Sequence, residues 1–261
     1  MDLNQDPELM METKHDVSLF KPNLFRLMAG FGSWRFGPVY SRLISSCLFL
    51  VISATSLAGE SENQPEAAGP KSVDSWRFRV WLDDKEIGYH NFFLAKNGGI
   101  HQLHSEASFE YKLLFVKLYD YEHENRETWV GNCLQSIESR TDANGKPFTV
   151  NGRRNKDGEF ELAGSGGETA LPECVMSFAY WNPSFLKQNR LLNTQNGEYL
   201  DVQVSPPLFE ELEVQGEKRP SYRYRLAAGA LNLDLWYSTD QQWLALESET
   251  EGGRKLRYEL L

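Results

Sequence analysis

The sequence predicts a mainly β protein: a strongly curved antiparallel sheet or open β-barrel, run as a meander, with one short helical segment. Three observations carry this. Apolar and polar residues alternate along most of the chain after residue 72, the strand period of two. Turn signals rich in Asn, Asp and Gly recur between the alternating runs at short intervals. One aromatic-rich stretch, residues 174–185, shifts from period two toward helical spacing.

Composition sets the outer bounds. The chain has 261 residues, 41% apolar, 13% aromatic and 25% charged, with a formal net charge of −10. Those proportions exclude a fibre, a collagen and a wholly disordered chain. The acidic balance argues against a nucleic-acid partner, because phosphate recognition needs clustered Lys and Arg. Residues 1–27 hold acids Asp2, Asp6, Glu8, Glu12 and Asp16 against Lys14, Lys21 and Arg26, whereas residues 28–58 hold only Arg35 and Arg42. These fifty-eight residues balance to zero, so the whole net charge belongs to residues 59–261.

Behind Arg42 runs Leu43-Ile44-Ser45-Ser46-Cys47-Leu48-Phe49-Leu50-Val51-Ile52-Ser53-Ala54-Thr55-Ser56-Leu57-Ala58. A positive flank, a short apolar core and small residues at the end have the layout of a signal peptide. Ser56 and Ala58 fit the cleavage positions, so residues 28–58 are expected to direct export to the periplasm and to be cut after Ala58. A retained N-terminal anchor and a buried core helix are the alternatives, although a spanning helix needs roughly 20 apolar residues. Residues 1–27 read as an over-long start, with Met28 the better one, or as a disordered tail. Cys47 does not fit a lipobox, since the apolar run follows it. Residues 59–71, rich in Gly, Pro, Glu and Gln, read as a polar linker. Residues 72–261 are then expected to form a single β-rich domain, not membrane-spanning once mature, and a monomer.

The strands follow in order. Trp76, Phe78, Val80 and Leu82 share one face, with Arg77 and Arg79 on the other. Asp83-Asp84-Lys85-Glu86 turns the chain into a return strand over residues 87–95, and Asn97-Gly98-Gly99 makes the next turn. Residues 134–141 and 147–153 form a hairpin about Asp142-Ala143-Asn144-Gly145. Asn155-Lys156-Asp157-Gly158 precedes a strand at residues 159–162. Residues 221–226, 231–237, 243–250 and 255–260 make a four-stranded run at the C-terminus. Such short connections require antiparallel pairs, for a total of about nine to eleven strands. In residues 173–182, Val175, Phe178 and Ala179 fall at helical spacing after Pro172, and Asn182-Pro183 is expected to stop or kink the helix. Residues 184–189 offer a second short helical turn.

Candidate chemistry is sparse. Without Cys47 the mature chain keeps Cys133 and Cys174, which commonly pair in an oxidising compartment. A disulfide leads; two buried thiols or a reactive cysteine are the other readings. No metal set emerges, because His101 and His104 lie on opposite faces of a strand. Glu122-His123-Glu124 reads as solvated charge. Glu106 and Glu110 near His104 offer the only carboxylate arrangement for a hydrolase, and nothing fixes their separation. Gly164-Ser165-Gly166-Gly167 lacks the spacing of a nucleophile elbow and reads as a flexible loop. No catalytic residue and no cofactor is assigned. What the chain has is aromatic surface, and a curved sheet has a concave face to place it on. Phe178, Tyr180, Trp181, Phe109 and Trp236 are the candidate ligand-binding residues, for a lipid or other apolar small molecule. Their simple alternative is core filling. A second functional class is an envelope interaction module docking through an edge strand or through Tyr180 and Trp181.

Glu127-Thr128-Trp129, Thr141-Asp142-Ala143-Asn144-Gly145, Cys174-Val175-Met176-Ser177-Phe178-Ala179-Tyr180-Trp181-Asn182-Pro183, Asn196-Gly197-Glu198 and Leu235-Trp236-Tyr237-Ser238 together resemble an exported proteobacterial family, domain of unknown function 6134. The resemblance covers residues 72–261 and implies no particular activity. More distantly, the chain resembles periplasmic half-barrel proteins that wrap a helix, some of which carry lipids. That likeness concerns the fold only.

Overall fold

A computed structural model of the chain describes residues 72–261, apart from 114 and 251. The expectations for residues 1–27, 28–58 and 59–71 lie outside the described residues.

The first run of strands is β1 (Ser72–Leu82), β2 (Lys85–Asn97), β3 (Ile100–Leu113), β4 (Val116–Val130), β5 (Cys133–Ala143), β6 (Lys146–Arg154), β7 (Phe160–Gly164) and β8 (Gly167–Leu171). A small hairpin follows, β9 (Arg190–Leu192) with β10 (Tyr199–Asp201). The second run is β11 (Gln203–Val204), β12 (Leu208–Val214), β13 (Glu217–Ala228), β14 (Leu231–Ser238), β15 (Trp243–Glu249) and β16 (Lys255–Leu260). Each run is an antiparallel meander, and pairing of β16 with β1 joins them into one 14-stranded sheet. The sheet curves strongly and does not close. Its free edges are β8 at one end and β11 with β12, both on β13, at the other.

The join explains the clarity of the first strand. β1 lies mid-sheet, between β16 and β2. Its Trp76, Phe78, Val80 and Leu82 are all buried, as their alternation predicts. The expected turns are also present. Asn144 and Gly145 both take positive φ, 59° and 78°, the pair that a two-residue hairpin with matched twist requires. Opposite Val80, where the β1–β2 register slips by a bulge, Gly88 has φ 149°. A Cβ there would lie 1.9 Å from the Ser108 carbonyl oxygen, so the close approach of β2 and β3 depends on glycine.

Three sequence expectations are corrected. The strands number sixteen, because polar runs such as β8 and the acid-rich β12 also pair, as edges of the sheet. Gly164-Ser165-Gly166-Gly167 is a tight hairpin turn between β7 and β8, with Gly164 paired to Gly167. Residues 173–182 form no helix. Their backbone groups bond outward instead, Val175 O to Leu134 N at 2.9 Å and Met176 O to Leu192 N at 2.9 Å. The short helical segment starts where the earlier one was expected to stop. A 3-10 turn spans Pro183–Lys187; Asn182 Oδ1 accepts from Ser184 N at 3.1 Å and Pro183 fills the first turn. Both are N-terminal signals as readily as breakers.

Residues 172–202, including that turn and the β9–β10 hairpin, lie against the inner face and close it. Val175, Met176, Ala179, Phe185, Leu191 and Leu192 are buried in the same core as the inward residues of the sheet. The tie to β5 is covalent: Cys133 and Cys174 form a disulfide, with Cα atoms 4.8 Å apart. Further on, the Tyr237 hydroxyl donates to Tyr180 O at 2.8 Å, and Ser165 N to Asn196 O at 2.9 Å. Among the described residues no helix is long and apolar enough to cross a membrane.

Candidate functional site

Beneath this cover the inner face changes character. Pairing sets neighbouring inward side chains in rows across β2 to β5: His90, Ala107, His123 and Thr141 in one, Phe92, Ser105, Asn125 and Ser139 in the next, then Leu94, Leu103, Glu127 and Ile137. Ser105, His123, Asn125, Glu127, Ser139 and Thr141 are all buried. A polar patch therefore sits inside an aromatic core, where an unpaired polar group is costly.

Most of the patch is paired internally. His123 Nδ1 lies 2.9 Å from Thr141 Oγ1, and His90 Nδ1 3.2 Å from the Tyr258 hydroxyl. The Glu127 carboxylate takes Asn125 Nδ2 at 3.1 Å on one oxygen and Trp129 Nε1 at 2.8 Å on the other. The buried polar atoms that lack a hydrogen-bond partner among the described residues include His90 Nε2, Asn125 Oδ1, Trp181 Nε1 and Gln195 Oε1.

All four residues line one cavity of about 80 Å³ between the sheet and its cover. One water needs at least about 10–15 Å³ and a cavity of about 150 Å³ takes a benzene ring, so the space holds a few waters or the end of a small ligand. The remaining wall is mixed. Phe178, Tyr180, Leu233 and Leu246 supply apolar surface, and Ser177, Ser248 and Thr250 supply hydroxyls.

Burial governs the electrostatics. It holds the His123 imidazole down to about 4, and with the facing His123 ring it keeps His90 well below its ordinary value. Burial pushes the Glu127 carboxyl up, against the pull of Asn125, Trp129 and Ser177. The two imidazoles are therefore neutral at physiological pH. Their depressed values contribute stability that is complete above the unfolded value near 6.5 and is lost as the pH falls, for His123 through about 4. Glu127, with its raised value, works the other way and offsets part of the loss. The urea midpoint of the protein should thus fall between those two pH values, less steeply in His123→Asn and more steeply in Glu127→Gln. A wild-type midpoint flat across the window would contradict the burial of uncharged histidines.

The expected site residues divide. Phe178, Tyr180 and Trp181 line the cavity. The Trp181 ring meets Trp129 edge-on at 5.6 Å and His101 at 5.8 Å, while Tyr180 lies 5.1 Å from Trp243. Phe109 is core, stacked on Tyr121 at 5.1 Å and away from the cavity wall. Trp236 faces the opposite side of the sheet, in a small cluster with Val214 and Leu244, and donates to Glu210 at 2.7 Å. Leu233, Leu235 and Tyr237 point inward, so alternation along β14 places Trp236 outward.

The other polar candidates lie outside. Glu106 accepts from Asn91 at 3.2 Å, Glu110 is part-exposed and paired with Lys112 and Lys117, and His104 meets Glu124 at 3.3 Å. These side chains do not converge. His123, expected as solvated charge, points inward; its exposed neighbours Glu122 and Glu124 concealed a strand alternation in plain view. Sequence reasoning also missed Asn125 and Glu127 as inward groups. The alternation from Tyr119 through Tyr121 to Trp129 was the signal that could have found them. A larger concavity of about 1150 Å³ lies on the outer face of β2 to β8, among outward side chains such as Arg126, Glu138 and Arg153. Its charges are solvated, unlike the desolvated groups inside.

Fold and cavity together define a half-barrel β-protein, closed on its concave side by a disulfide-tied segment over a small polar cavity. Residues 78–261 match the family model for the domain of unknown function DUF6134, and the chain belongs to that family. Among solved structures it is similar to a β-barrel-like protein of domain of unknown function DUF1849 from Brucella abortus, with 8% identity and a TM-score of 0.47 over 74% of this chain and 96% of that one. Comparison with curated proteins gives no match.

Proposed function

We propose that the protein is an exported, monomeric, non-catalytic binding protein, and that its interior cavity holds one end of a lipid or other amphiphilic small molecule. The observation that carries this reading is the coincidence of the cavity with four buried polar atoms that lack protein partners. A core evolved only for packing pairs or removes such atoms, whereas a binding site leaves them for its ligand. The mixed wall suits an amphiphile, with apolar side chains on one side and hydroxyl, amide and imidazole groups on the other. At about 80 Å³ the cavity admits the end of a chain. A longer stretch requires the cover to move.

Export draws support from the disulfide, since such bonds persist in oxidising compartments. Cleavage after Ala58 would give a mature form beginning at Gly59, which N-terminal sequencing of the exported protein reads directly.

Native mass spectrometry of protein purified from the periplasm tests the binding. The expected result is an added small-molecule mass in the wild type that disappears in Ser248→Leu, which fills the cavity from β15. A bare wild-type mass, with no thermal shift across a lipid panel, would overturn the reading.

A further inference from the structure

We infer that the interior cavity selects an uncharged hydrogen-bonding group on an apolar chain, such as an amide, ester or alcohol, and rejects carboxylates and amines of the same size. The inference rests on the cavity being a binding site, and it adds the chemical class of the ligand.

The argument is one of complementary groups. No Lys or Arg lines the cavity, so a carboxylate entering it would meet no cation. Removing an anion from water without a counter-charge costs far more than the hydrogen bonds available there would return. Glu127 is the one carboxylate on the wall, and both its oxygens already accept, from Asn125 Nδ2 and Trp129 Nε1. Ser177 also donates to it, so these donors use most of its acceptor capacity and leave little for an ammonium. Burial keeps both histidines neutral, so neither imidazole offers a carboxylate a cation, and it disfavours the charged form of Glu127.

The unpartnered atoms are of both kinds. Trp181 Nε1 can only donate, while Asn125 Oδ1 and Gln195 Oε1 can only accept. His90 Nε2 takes whichever role its contact with Tyr258 leaves to it. Such a set matches a group that both accepts and donates without charge, as a primary amide does. Phe178, Leu233 and Leu246 on the same wall take the attached chain.

Butyramide, butyrate and butylamine present the three charge states on one short chain, whose polar end is small enough to enter the cavity. Each is titrated against the folded protein while the Trp181 indole N–H resonance is followed by NMR, the signal being assigned by its loss in Trp181→Phe. Butyramide should move that resonance saturably, with the two charged analogues at least tenfold weaker. Trp181→Phe should fold as the wild type does, because its indole nitrogen has no partner to lose, and should bind butyramide several-fold more weakly. Butyrate or butylamine binding as tightly as butyramide at this indole would overturn the selectivity while leaving the binding reading intact. No response to any of the three would overturn both.

Discussion

Replacing Trp129 with alanine is expected to cost about 3–5 kcal/mol, the range for truncating a fully buried aromatic, and to loosen the cover along with the sheet. Trp129 is completely buried on β4. Its ring supports Trp181 edge-on at 5.6 Å, and its Nε1 donates to Glu127 at 2.8 Å. Alanine removes all of this at once. Trp129→Phe separates the contributions, because the ring stays and only the donor goes. That variant leaves a buried carboxylate oxygen without its indole partner, a loss worth about 1–3 kcal/mol. Its deficit should shrink toward acidic pH, where Glu127 is protonated and has less need of a donor. Urea unfolding of the three proteins at two pH values reads these differences. A Trp129→Ala protein as stable as the wild type would mean that the cover does not rest on β4.

Loss of the disulfide is the second large effect. Cys133 and Cys174 close a loop across a sequence separation of 41, which constrains the unfolded chain by about 4 kcal/mol in the loop-entropy model. The Cys133→Ala, Cys174→Ala double variant should therefore unfold at a much lower urea concentration. It should also lose local protection in residues 172–202 before the sheet itself opens, since the bond ties the start of that segment to β5. A midpoint unchanged from the wild type would show that the non-covalent contacts of Val175, Phe185 and Leu192 suffice to hold the cover.

Much of this was legible in the sequence, and the reason is physical. A strand with one buried face writes that burial into every second residue. β1 was plain because it sits mid-sheet, and the hairpin at Asn144-Gly145 because only some residues accept its backbone angles. Legibility failed where backbone alone decides the structure. β8 is an exposed edge strand whose side chains carry no alternation to read, and in β12 the alternation is confined to Glu210, Leu212 and Val214. Residues 173–182 have helical spacing, yet tertiary hydrogen bonds to β5 and β9 replace those a helix would make. The aromatic half of the cavity could be anticipated, since Phe178, Tyr180 and Trp181 cluster in the one segment that breaks the pattern. Its polar half was concealed because His123, Asn125 and Glu127 look like surface residues. They continue the alternation of Tyr119, Tyr121 and Trp129 along β4, and the register lines them up behind Trp181.

Hydrogen exchange of the full chain, with and without saturating butyramide, tests most directly whether the covered cavity is the binding site. Ligand held there should slow exchange at the amides that fasten the cover, those of Leu134, Phe178 and Leu192, and leave the outer edge strands β8 and β12 unchanged. Added protection confined to the outer groove around Arg126 and Arg153, or absent everywhere, would contradict it.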